Sequence, residues 1–214
     1  DAGMVVVNWN VRDLLIKCLE SIFSYTKNVH YEIIVVDNAS NDNSMAEVRN
    51  VFKDKIREGA LVLIENKQNA GFSKANNQGL KEARGKYVLF MNPDMEMVDN
   101  TVLKMKQFMD QDDEIGIATC TLLYGDKTIQ PNVKEDPTFC SQLLILLKVH
   151  HFFPNLACLR DYLAKDFDYE QQAAIKQAMG AFIFTRRALM QKLRGWDEDY
   201  WLWWEDHDLC LRVR

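Results

Sequence analysis

Four short apolar runs, each leading into polar residues, constrain the fold of this chain more than any other feature. They are Met4–Val7, Glu32–Val36, Leu61–Ile64 and Tyr87–Met91. Their length and their β-branched and aromatic content predict strands, and residues at helical spacing follow each of the first three runs. A helix between two strands forms a crossover, which places those strands parallel to each other. Residues 1–94 are therefore predicted to form a parallel α/β sheet.

The fourth run ends in a proline turn. It reads KYVLFMNPD from Lys86 to Asp94. The run lacks alternation between polar and apolar residues, which predicts a strand covered on both faces. Ligands of open α/β sheets bind beyond the carboxyl ends of the strands, so Asp94 is a candidate site residue. The alternative is an Asx-Pro turn that only closes the strand.

Asp37 repeats this arrangement, because the apolar run IIVVD delivers a carboxylate at its carboxyl end. A carboxylate there can accept a hydrogen bond from a ribose hydroxyl or a pyrimidine N–H, a contact of about 1.5–3 kcal/mol when it is charge-assisted. The alternative is an N-terminal cap for the helix that follows the loop DNASNDNS. Both roles are compatible with this stretch.

The stretch Asn69–Leu80, NAGFSKANNQGL, predicts a turn at Gly71 followed by a polar helix start. It contains neither of the common glycine-rich phosphate motifs. Its backbone N–H groups and its polar side chains, among them Ser73, Lys74 and Asn76, suit a polar ligand. An ordinary polar helix N-terminus is the structural alternative.

The second half alternates helical and strand patterns less regularly. Helices are predicted over Asn100–Gln111, Phe139–Phe153 and Leu156–Gln177, and strands over Ile115–Leu123 and Met179–Thr185. A loop or hairpin is predicted over Tyr124–Pro137. Adjacent histidines cannot share one helix face, so His150 and His151 are not expected to form a metal site.

The last stretch, WDEDYWLWWEDHDLCLRVR, combines indoles with acidic residues. A helix beginning near Glu205 would place these acids at its positive N-terminal end, which is a sufficient structural reason for them. A carboxylate beside several indoles also loses water, which raises its pKa toward values useful for a general base. Both interpretations stay open from the residues alone.

Composition narrows the class of protein. The chain has 214 residues, 48% hydrophobic content and a net charge of −5, which together favour one globular domain and argue against nucleic-acid binding. Five widely spaced cysteines favour free thiols in a reducing compartment, and hence a cytoplasmic protein.

No membrane span or targeting segment is expected, because the apolar run Phe139–Val149 is too short to span a bilayer and no signal-peptide pattern precedes the first strand. The last helical pattern carries no stop signal, so a piece of a longer protein is expected.

Seven motifs occur in a fixed order: VVVNWN, VVDNASNDNS, NAGFSKANNQGL, YVLFMNPD, MGAFIFTRR, GWDE and WWEDHDLCLR. Together they resemble glycosyltransferase family 2, in particular its rhamnosyltransferase-like branch, from about Met4 to Arg214. The match is weakest over Tyr124–Gln177. The resemblance implies an α/β GT-A fold, with a Rossmann-like, mainly parallel central sheet flanked by helices and a helical C-terminal portion. It also implies a single domain, 1–214, with a nucleotide-binding half (1–94) and an acceptor and catalytic half (95–214).

The resemblance implies an inverting, metal-assisted transfer of a sugar from a nucleotide-diphosphate donor to a hydroxyl of a saccharide or lipid-linked acceptor. A dTDP- or UDP-sugar is the expected donor, with rhamnose as the sugar that the branch suggests. The expected location is cytoplasmic, at the inner face of the plasma membrane, with peripheral membrane association through parts outside this sequence.

The resemblance also assigns site residues. Those expected around the nucleotide are Asn8, Asn10, Asp37, Asn69, Gly71, Lys74, Asn76 and Asn92. Asp94 is the expected ligand of Mg²⁺ or Mn²⁺, although Asn92 replaces the first Asp of the family's DxD motif. Asp206 matches the catalytic base, with Glu205 as its rival, and Trp203 and Trp204 are expected to stack on sugar rings.

Two other functions remain open at this point. A nucleotidyltransferase can share a related sheet, but such enzymes usually carry a glycine-rich phosphate loop near the first strand, and VVVNWNVRD contains no glycine. A nucleotide-sugar-binding domain without turnover is the alternative from a different class.

Overall fold

The chain folds around one six-stranded sheet with helices on both of its faces. The computed structural model describes residues 1–214. The first half contains β1 (Ala2–Asn8), α1 (Arg12–Tyr25), β2 (Tyr31–Asp37), α2 (Ser44–Val51), α3 (Lys53–Arg57), β3 (Leu61–Glu65), α4 (Phe72–Glu82), β4 (Tyr87–Met91) and α5 (Thr101–Asp110). The second half contains β5 (Ile117–Ala118), β6 (Leu122–Leu123), β7 (Ile129–Gln130), β8 (Val133–Lys134), α6 (Phe139–Leu146), α7 (Ala157–Tyr162), β9 (Gln177–Ala178), β10 (Phe182–Arg186), α8 (Arg187–Lys192) and α9 (Glu205–Val213).

The strand order of the main sheet is β3-β2-β1-β4-β10-β5. β1 is parallel to both β2 and β4, and β2 is parallel to β3. The parallel α/β sheet predicted for residues 1–94 is therefore confirmed. β10 is antiparallel to β4 and to β5, so the second half of the chain extends the sheet from the β4 side. Two short antiparallel pairs, β6–β7 and β8–β9, lie outside the main sheet.

Alternate residues of the central strands enter two cores, one on each face of the sheet. Met4 and Val6 of β1 pack in the core that includes α1 and α5, whereas Val5 packs in the core that includes α4, α8 and α9. All five residues of β4 are buried, as the absence of alternation in its sequence predicted. The sheet therefore presents its ends, and not its faces, to solvent.

A close approach between α4 and β1 fixes the direction of α4. A Cβ atom on Gly79 would lie 2.3 Å from Val5 Cγ1, so only glycine allows the helix to pack at this distance. α4 begins at Phe72, beyond the carboxyl end of β3. Its N-terminus consequently points toward the carboxyl edge of the sheet, where β1, β2 and β4 also end.

The strand predicted over Ile115–Leu123 is wrong as a single element. The chain leaves the main sheet after β5, and β6 pairs instead with β7 in a hairpin. The Thr119 hydroxyl donates to Phe182 O at 2.8 Å and so replaces the next pairing between β5 and β10. The loop or hairpin predicted over Tyr124–Pro137 is confirmed in part by the turn that joins β6 to β7.

The long helices predicted over Phe139–Phe153 and Leu156–Gln177 are also wrong over much of their length. The first is divided into α6 and a single 3₁₀ turn, and the second is reduced to α7. Lys148 and Ala164 adopt left-handed backbone angles, with φ of 57° and 45°, which interrupt helical hydrogen bonding at these positions. Periodicity alone did not reveal these two interruptions.

The cysteines divide into two groups. Cys18, Cys120 and Cys210 are free thiols, as predicted, but Cys140 and Cys158 form a disulfide that joins α6 to α7. The prediction of free thiols is therefore wrong for this pair, because helix packing places together two sulfurs that lie 18 residues apart. No helix in the structure combines the length and apolar character needed to cross a bilayer.

Candidate active site

The carboxyl ends of β1 and β2 place two polar side chains against each other. Asn8 and Asp37 are register partners, and Asn8 Nδ2 donates to Asp37 Oδ1 at 2.7 Å. The other carboxylate oxygen, Oδ2, accepts from Ser40 N at 2.9 Å. Both Asn8 and Asp37 are buried, and Asn8 Oδ1 has no hydrogen-bond partner. This pair forms a fixed polar floor with one unused acceptor.

Asn10 lies in the loop that follows β1, next to the Asn8–Asp37 pair. Its backbone N–H donates to Ser40 Oγ at 2.9 Å, and its side-chain Oδ1 accepts from Asn41 N at 2.8 Å. The residue has a left-handed backbone with φ of 56°, which asparagine tolerates better than most residues. Asn10 thus connects the loop after β1 to the loop after β2.

Asn38 is a polar residue that sequence reasoning treated only as part of a turn. It is buried, and its Nδ2 donates to Gly71 O at 3.1 Å. Its Oδ1 accepts from Ala70 N at 3.3 Å and from Asn66 Nδ2 at 2.9 Å. Asn38 therefore binds the loop before α4 to the end of β2. Its position directly after Asp37 was the available sequence signal.

The loop before α4 is held in a tight turn. Asn69 Oδ1 accepts from Gly71 N at 2.9 Å, and Gly71 has φ of +85°, a backbone angle that favours glycine. A Cβ on Gly71 would also lie 3.0 Å from two atoms of Trp201. The predicted residues Asn69 and Gly71 consequently shape the turn before α4, which packs against Trp201.

The first turn of α4 offers two kinds of side chain. Lys74 is exposed, whereas Ser73 and Asn76 are buried. Asn76 Nδ2 donates to Phe72 O at 3.1 Å within its own helix, and Ser73 Oγ is buried without a partner. The Ser73 hydroxyl is therefore the unused polar atom at this helix start. The nucleotide role predicted for Asn76 stays a prediction.

The Asn92–Pro93–Asp94 turn lies at the end of β4. Asn92 N donates to Ala181 O at 3.0 Å, so the turn is attached to the segment that leads into β10. Asp94 is exposed. The buried Cys18 thiol donates to Asn92 O at 3.9 Å, and burial, with smaller contributions from Asp94 and Glu96, raises the pKa of Cys18 to about 12. The uncharged Cys18 thiol therefore contacts the turn through the carbonyl group of Asn92.

A divalent cation at this turn would need additional ligands from a bound substrate. No three His, Cys, Asp or Glu side chains of the chain cluster into a metal site. Mg²⁺ is usually held by one or two carboxylates together with the phosphates of a substrate. The exposed Asp94 carboxylate suits such a site, in which a diphosphate supplies the remaining oxygen ligands.

Asp206 lies in the first turn of α9 and is fixed by three donors. Its Oδ2 accepts from Gly180 N at 3.1 Å, and its Oδ1 accepts from His207 N at 2.8 Å and from Gln177 Nε2 at 3.5 Å. Gly180 directly precedes Ala181, the residue that binds the turn after β4. The structure thus brings Asp206 and the Asn92–Pro93–Asp94 turn to the same segment. Gln177 carried no sequence signal.

Glu205 differs from Asp206 in its environment. Its side chain is buried, with 6% of the residue exposed, and its Oε2 has no hydrogen-bond partner. Burial raises the pKa of Glu205 above its ordinary value. Asp206 is only partly buried. Of the two acids, Asp206 is therefore the more exposed.

The tryptophans after Gly195 have two different environments. Trp196 is buried and packs edge-on against Phe90 at 5.2 Å between ring centroids. Trp203 and Trp204 are exposed and have left-handed backbone angles, with φ of 69° and 71°. Trp201 O accepts from Phe72 N at 2.9 Å. The exposed indoles thus lie on the loop between α8 and α9, which contacts the start of α4 through Trp201.

Solved structures with the same architecture define the class of fold. The chain superposes over 99% of its length on the mannosyltransferase PcManGT from Pyrobaculum calidifontis in complex with GDP-Man and Mn²⁺, with a TM-score of 0.66 and 20% identity. It superposes over its whole length on S. aureus TarS 1–349 in complex with UDP, with a TM-score of 0.67 and 16% identity. These matches cover 51% and 54% of the two solved chains. The fold is that of GT-A glycosyltransferases.

Residues 4–193 match the family described as Glycosyl transferase family 2. The chain belongs to this family, and membership favours the glycosyltransferase class over the nucleotidyltransferase alternative. It is 30% identical over 202 residues to the O-antigen biosynthesis protein RfbC of Myxococcus xanthus. It is 33% identical over 108 residues to a poly(ribitol-phosphate) beta-glucosyltransferase of Bacillus spizizenii.

The chain covers only part of these curated relatives. The match to RfbC includes 94% of the chain and 15% of that protein, and the match to the glucosyltransferase includes 50% of the chain and 17% of that protein. Asp206 also lies beyond residue 193, where the family match ends. The role of Asp206 consequently depends on its geometry and on the order of motifs.

Proposed function

We propose that this chain is the catalytic domain of an inverting glycosyltransferase that moves a sugar from a nucleotide-diphosphate donor to a hydroxyl of a saccharide or lipid-linked acceptor. The observation that carries the proposal is the fixed and accessible Asp206 carboxylate, joined through Gly180 and Ala181 to the turn after β4. Residues 1–94 bind the donor, and residues 95–214 provide the base and the acceptor site.

The donor nucleoside binds over the buried Asn8–Asp37 pair, with the Asn69–Gly71 turn beside it and Asn10 and Lys74 at the rim. The Asn8–Asp37 pair, Asn10 and the Asn69–Gly71 turn meet at the carboxyl edge of the sheet, which supports a polar ligand because ligands of α/β sheets bind there. TarS is solved with UDP and UDP-GlcNAc and PcManGT with GDP-Man, which supports a nucleotide-sugar donor. The branch resemblance alone favours dTDP-rhamnose.

Asp206 acts as the general base in a single displacement. The acceptor hydroxyl gives its proton to Asp206, its oxygen bonds to the anomeric carbon, and the bond from that carbon to the diphosphate breaks. The nucleoside diphosphate leaves with the electron pair, and one displacement inverts the anomeric configuration. The N–H groups of Gly180 and His207 hold the carboxylate in one orientation, which favours proton transfer from a fixed direction.

Asp94, with Asn92 beside it, would hold Mg²⁺ or Mn²⁺ against the donor diphosphate. When bound, the cation neutralises charge that develops on the leaving diphosphate. A single carboxylate predicts weaker metal binding than a pair would give. Trp203 and Trp204 offer exposed indole faces beside α9, and sugar rings pack well on such surfaces.

The test uses the full-length protein that contains this chain. Asp206→Asn is expected to reduce transfer by about 10²- to 10⁴-fold, the usual contribution of a general base, while donor binding measured by thermal stabilisation is unchanged. Asp199→Asn is the matched control, because Asp199 is an exposed acid of the preceding loop. UDP-, dTDP- and GDP-sugars are compared with and without Mn²⁺.

Unchanged transfer by Asp206→Asn would remove Asp206 as the base, and a selective loss in Glu205→Gln would assign that role to Glu205. Donor binding without transfer or hydrolysis in the unmodified protein would favour a nucleotide-sugar-binding domain. If no nucleotide stabilised the protein, the donor site would be wrongly placed.

A further inference from the structure

Helix α6 has its apolar and polar residues in the opposite positions from those of an ordinary surface helix. Phe139 and Leu146 are 83% and 78% exposed, whereas Ser141 is the buried residue of the helix. The exposure continues after the helix, since Phe152 is 80% exposed. Seven residues between 139 and 156 are large, apolar and exposed, and together they are called the apolar surface: Phe139, Leu143, Leu146, Leu147, Phe152, Phe153 and Leu156. Exposed apolar patches mark interaction sites.

The apolar surface lies on the α6–α7 hairpin, residues 139–162, and this hairpin is anchored to the rest of the chain. Leu159 and Tyr162 of α7 are buried, and Tyr162 O accepts from Glu135 N at 3.0 Å. The Cys140–Cys158 disulfide joins its two helices. Thr138 and Ser141 form a reciprocal capping box at the start of α6. The exposed side chains therefore lie on an anchored part of the chain.

Charge identifies the kind of partner. The chain contains 31 Asp and Glu residues and has a net charge of −5, yet the segment 138–160 contains no acidic residue. It contains Lys148, Arg160 and the histidine pair His150 and His151. Arg160 is paired with Asp166, whereas Lys148 is exposed between the two apolar parts of the surface. Within the segment 138–160 the apolar side chains are interrupted by basic residues and by no acid, which matches an anionic lipid surface.

We propose that the apolar surface binds an anionic lipid bilayer, with its phenylalanines and leucines in the interface and Lys148 at the headgroups. The hairpin connects β8 to β9, and Gln177 of β9 contacts Asp206. Membrane binding would therefore place Asp206, the proposed general base, near the lipid surface, which suits a lipid-linked acceptor. This last consequence depends on the proposed function, but lipid binding itself does not.

The test is co-flotation of the full-length protein with mixed phosphatidylcholine–phosphatidylglycerol vesicles. The variant Phe152→Ser/Phe153→Ser is expected to reduce the partition coefficient at least about tenfold, because two exposed apolar side chains are lost from the interface. Val98→Ser is the control, since Val98 is 67% exposed outside the hairpin. Hydrogen exchange should show vesicle-dependent protection of residues 139–156 in the native protein.

Absence of vesicle binding by the native protein, or unchanged binding by the double variant, would overturn the proposal. Equal or stronger binding to pure phosphatidylcholine would overturn the role of charge. If the native protein were a dimer that bound no vesicles, and the double variant were a monomer, the surface would be assigned to self-association. If residues 139–156 were protected even without vesicles, the surface would be assigned to contact with another part of the protein. Transfer to a short water-soluble acceptor should be the same in both proteins, which separates failure of lipid binding from failure of the transferase assignment.

Discussion

Asn77 joins α4 to the segment that precedes α9, and its removal should destabilise the chain strongly. Asn77 Nδ2 donates to Trp196 O at 2.9 Å, and Trp196 N donates back to Asn77 Oδ1 at 2.8 Å. Both residues are buried. The side chain therefore satisfies a backbone donor and a backbone acceptor that water cannot reach.

The expected effect of Asn77→Ala follows from these two backbone groups. A buried polar group that loses its partner costs about 1–3 kcal/mol, so two such groups predict a loss of about 2–6 kcal/mol in the free energy of unfolding. The third contact of Asn77, to Glu198 Oε1 at 3.0 Å, is only partly buried and adds little. A loss of this size is a large fraction of the stability of an ordinary domain, about 5–15 kcal/mol.

Urea unfolding followed by circular dichroism measures this loss, with Asn76→Ala as the matched control. Asn76 is the neighbouring buried asparagine, but its amide bonds only within α4, so its replacement should cost much less. The midpoint should fall in Asn77→Ala with an unchanged slope. A difference from the native chain below about 0.5 kcal/mol, or an equal loss in both variants, would refute the role given to the Asn77–Trp196 pair.

Three further predictions concern stability. Burial raises the pKa of Glu205 above the ordinary value of 4.5, so the stability of the native chain falls as pH rises from that value through the raised pKa. Glu205→Gln has no carboxyl group that titrates at this position, so its stability relative to the native chain should rise between about pH 4 and about pH 8. Urea unfolding at these two pH values measures the difference, and a difference that did not change with pH would contradict the prediction. Gly79→Ala should lose about 1–3 kcal/mol, because its Cβ would overlap Val5, and an equal or higher urea midpoint would disprove the close approach. Cys140→Ser should speed proteolytic cleavage within the α6–α7 hairpin, since it removes the disulfide to Cys158, and equal cleavage rates in limited proteolysis would show that the disulfide does not order the hairpin.

Much of the parallel half of the fold could be predicted from the sequence, because local patterns determine it. β-branched runs followed by polar loops and helical spacing predicted β1 to β4 and their parallel order. The second half was predicted less well, since two-residue strands and left-handed interruptions such as Lys148 depend on contacts distant in sequence. The same limitation led to the incorrect assignment of Cys140 and Cys158 as free thiols.

The candidate site shows the same division. Asp37, Asp94 and Asp206 stand out in the sequence because each follows or begins a recognisable element. Gln177 and Asn38 do not, since their importance comes from the atoms that they contact, Asp206 in one case and the Gly71 loop in the other. Hydrogen-bond partners separated widely along the chain leave no periodic pattern.

The sequence by itself determined the family, the parallel sheet and the identity of the candidate acids, because short-range patterns and ordered motifs carry that information. Only the tertiary structure decided which acid is accessible. Glu205 and Asp206 are neighbours in the sequence, but packing buries one and leaves the other facing the segment Gly180–Ala181. Burial depends on the whole fold, and the chemical difference between two adjacent carboxylates arises from it.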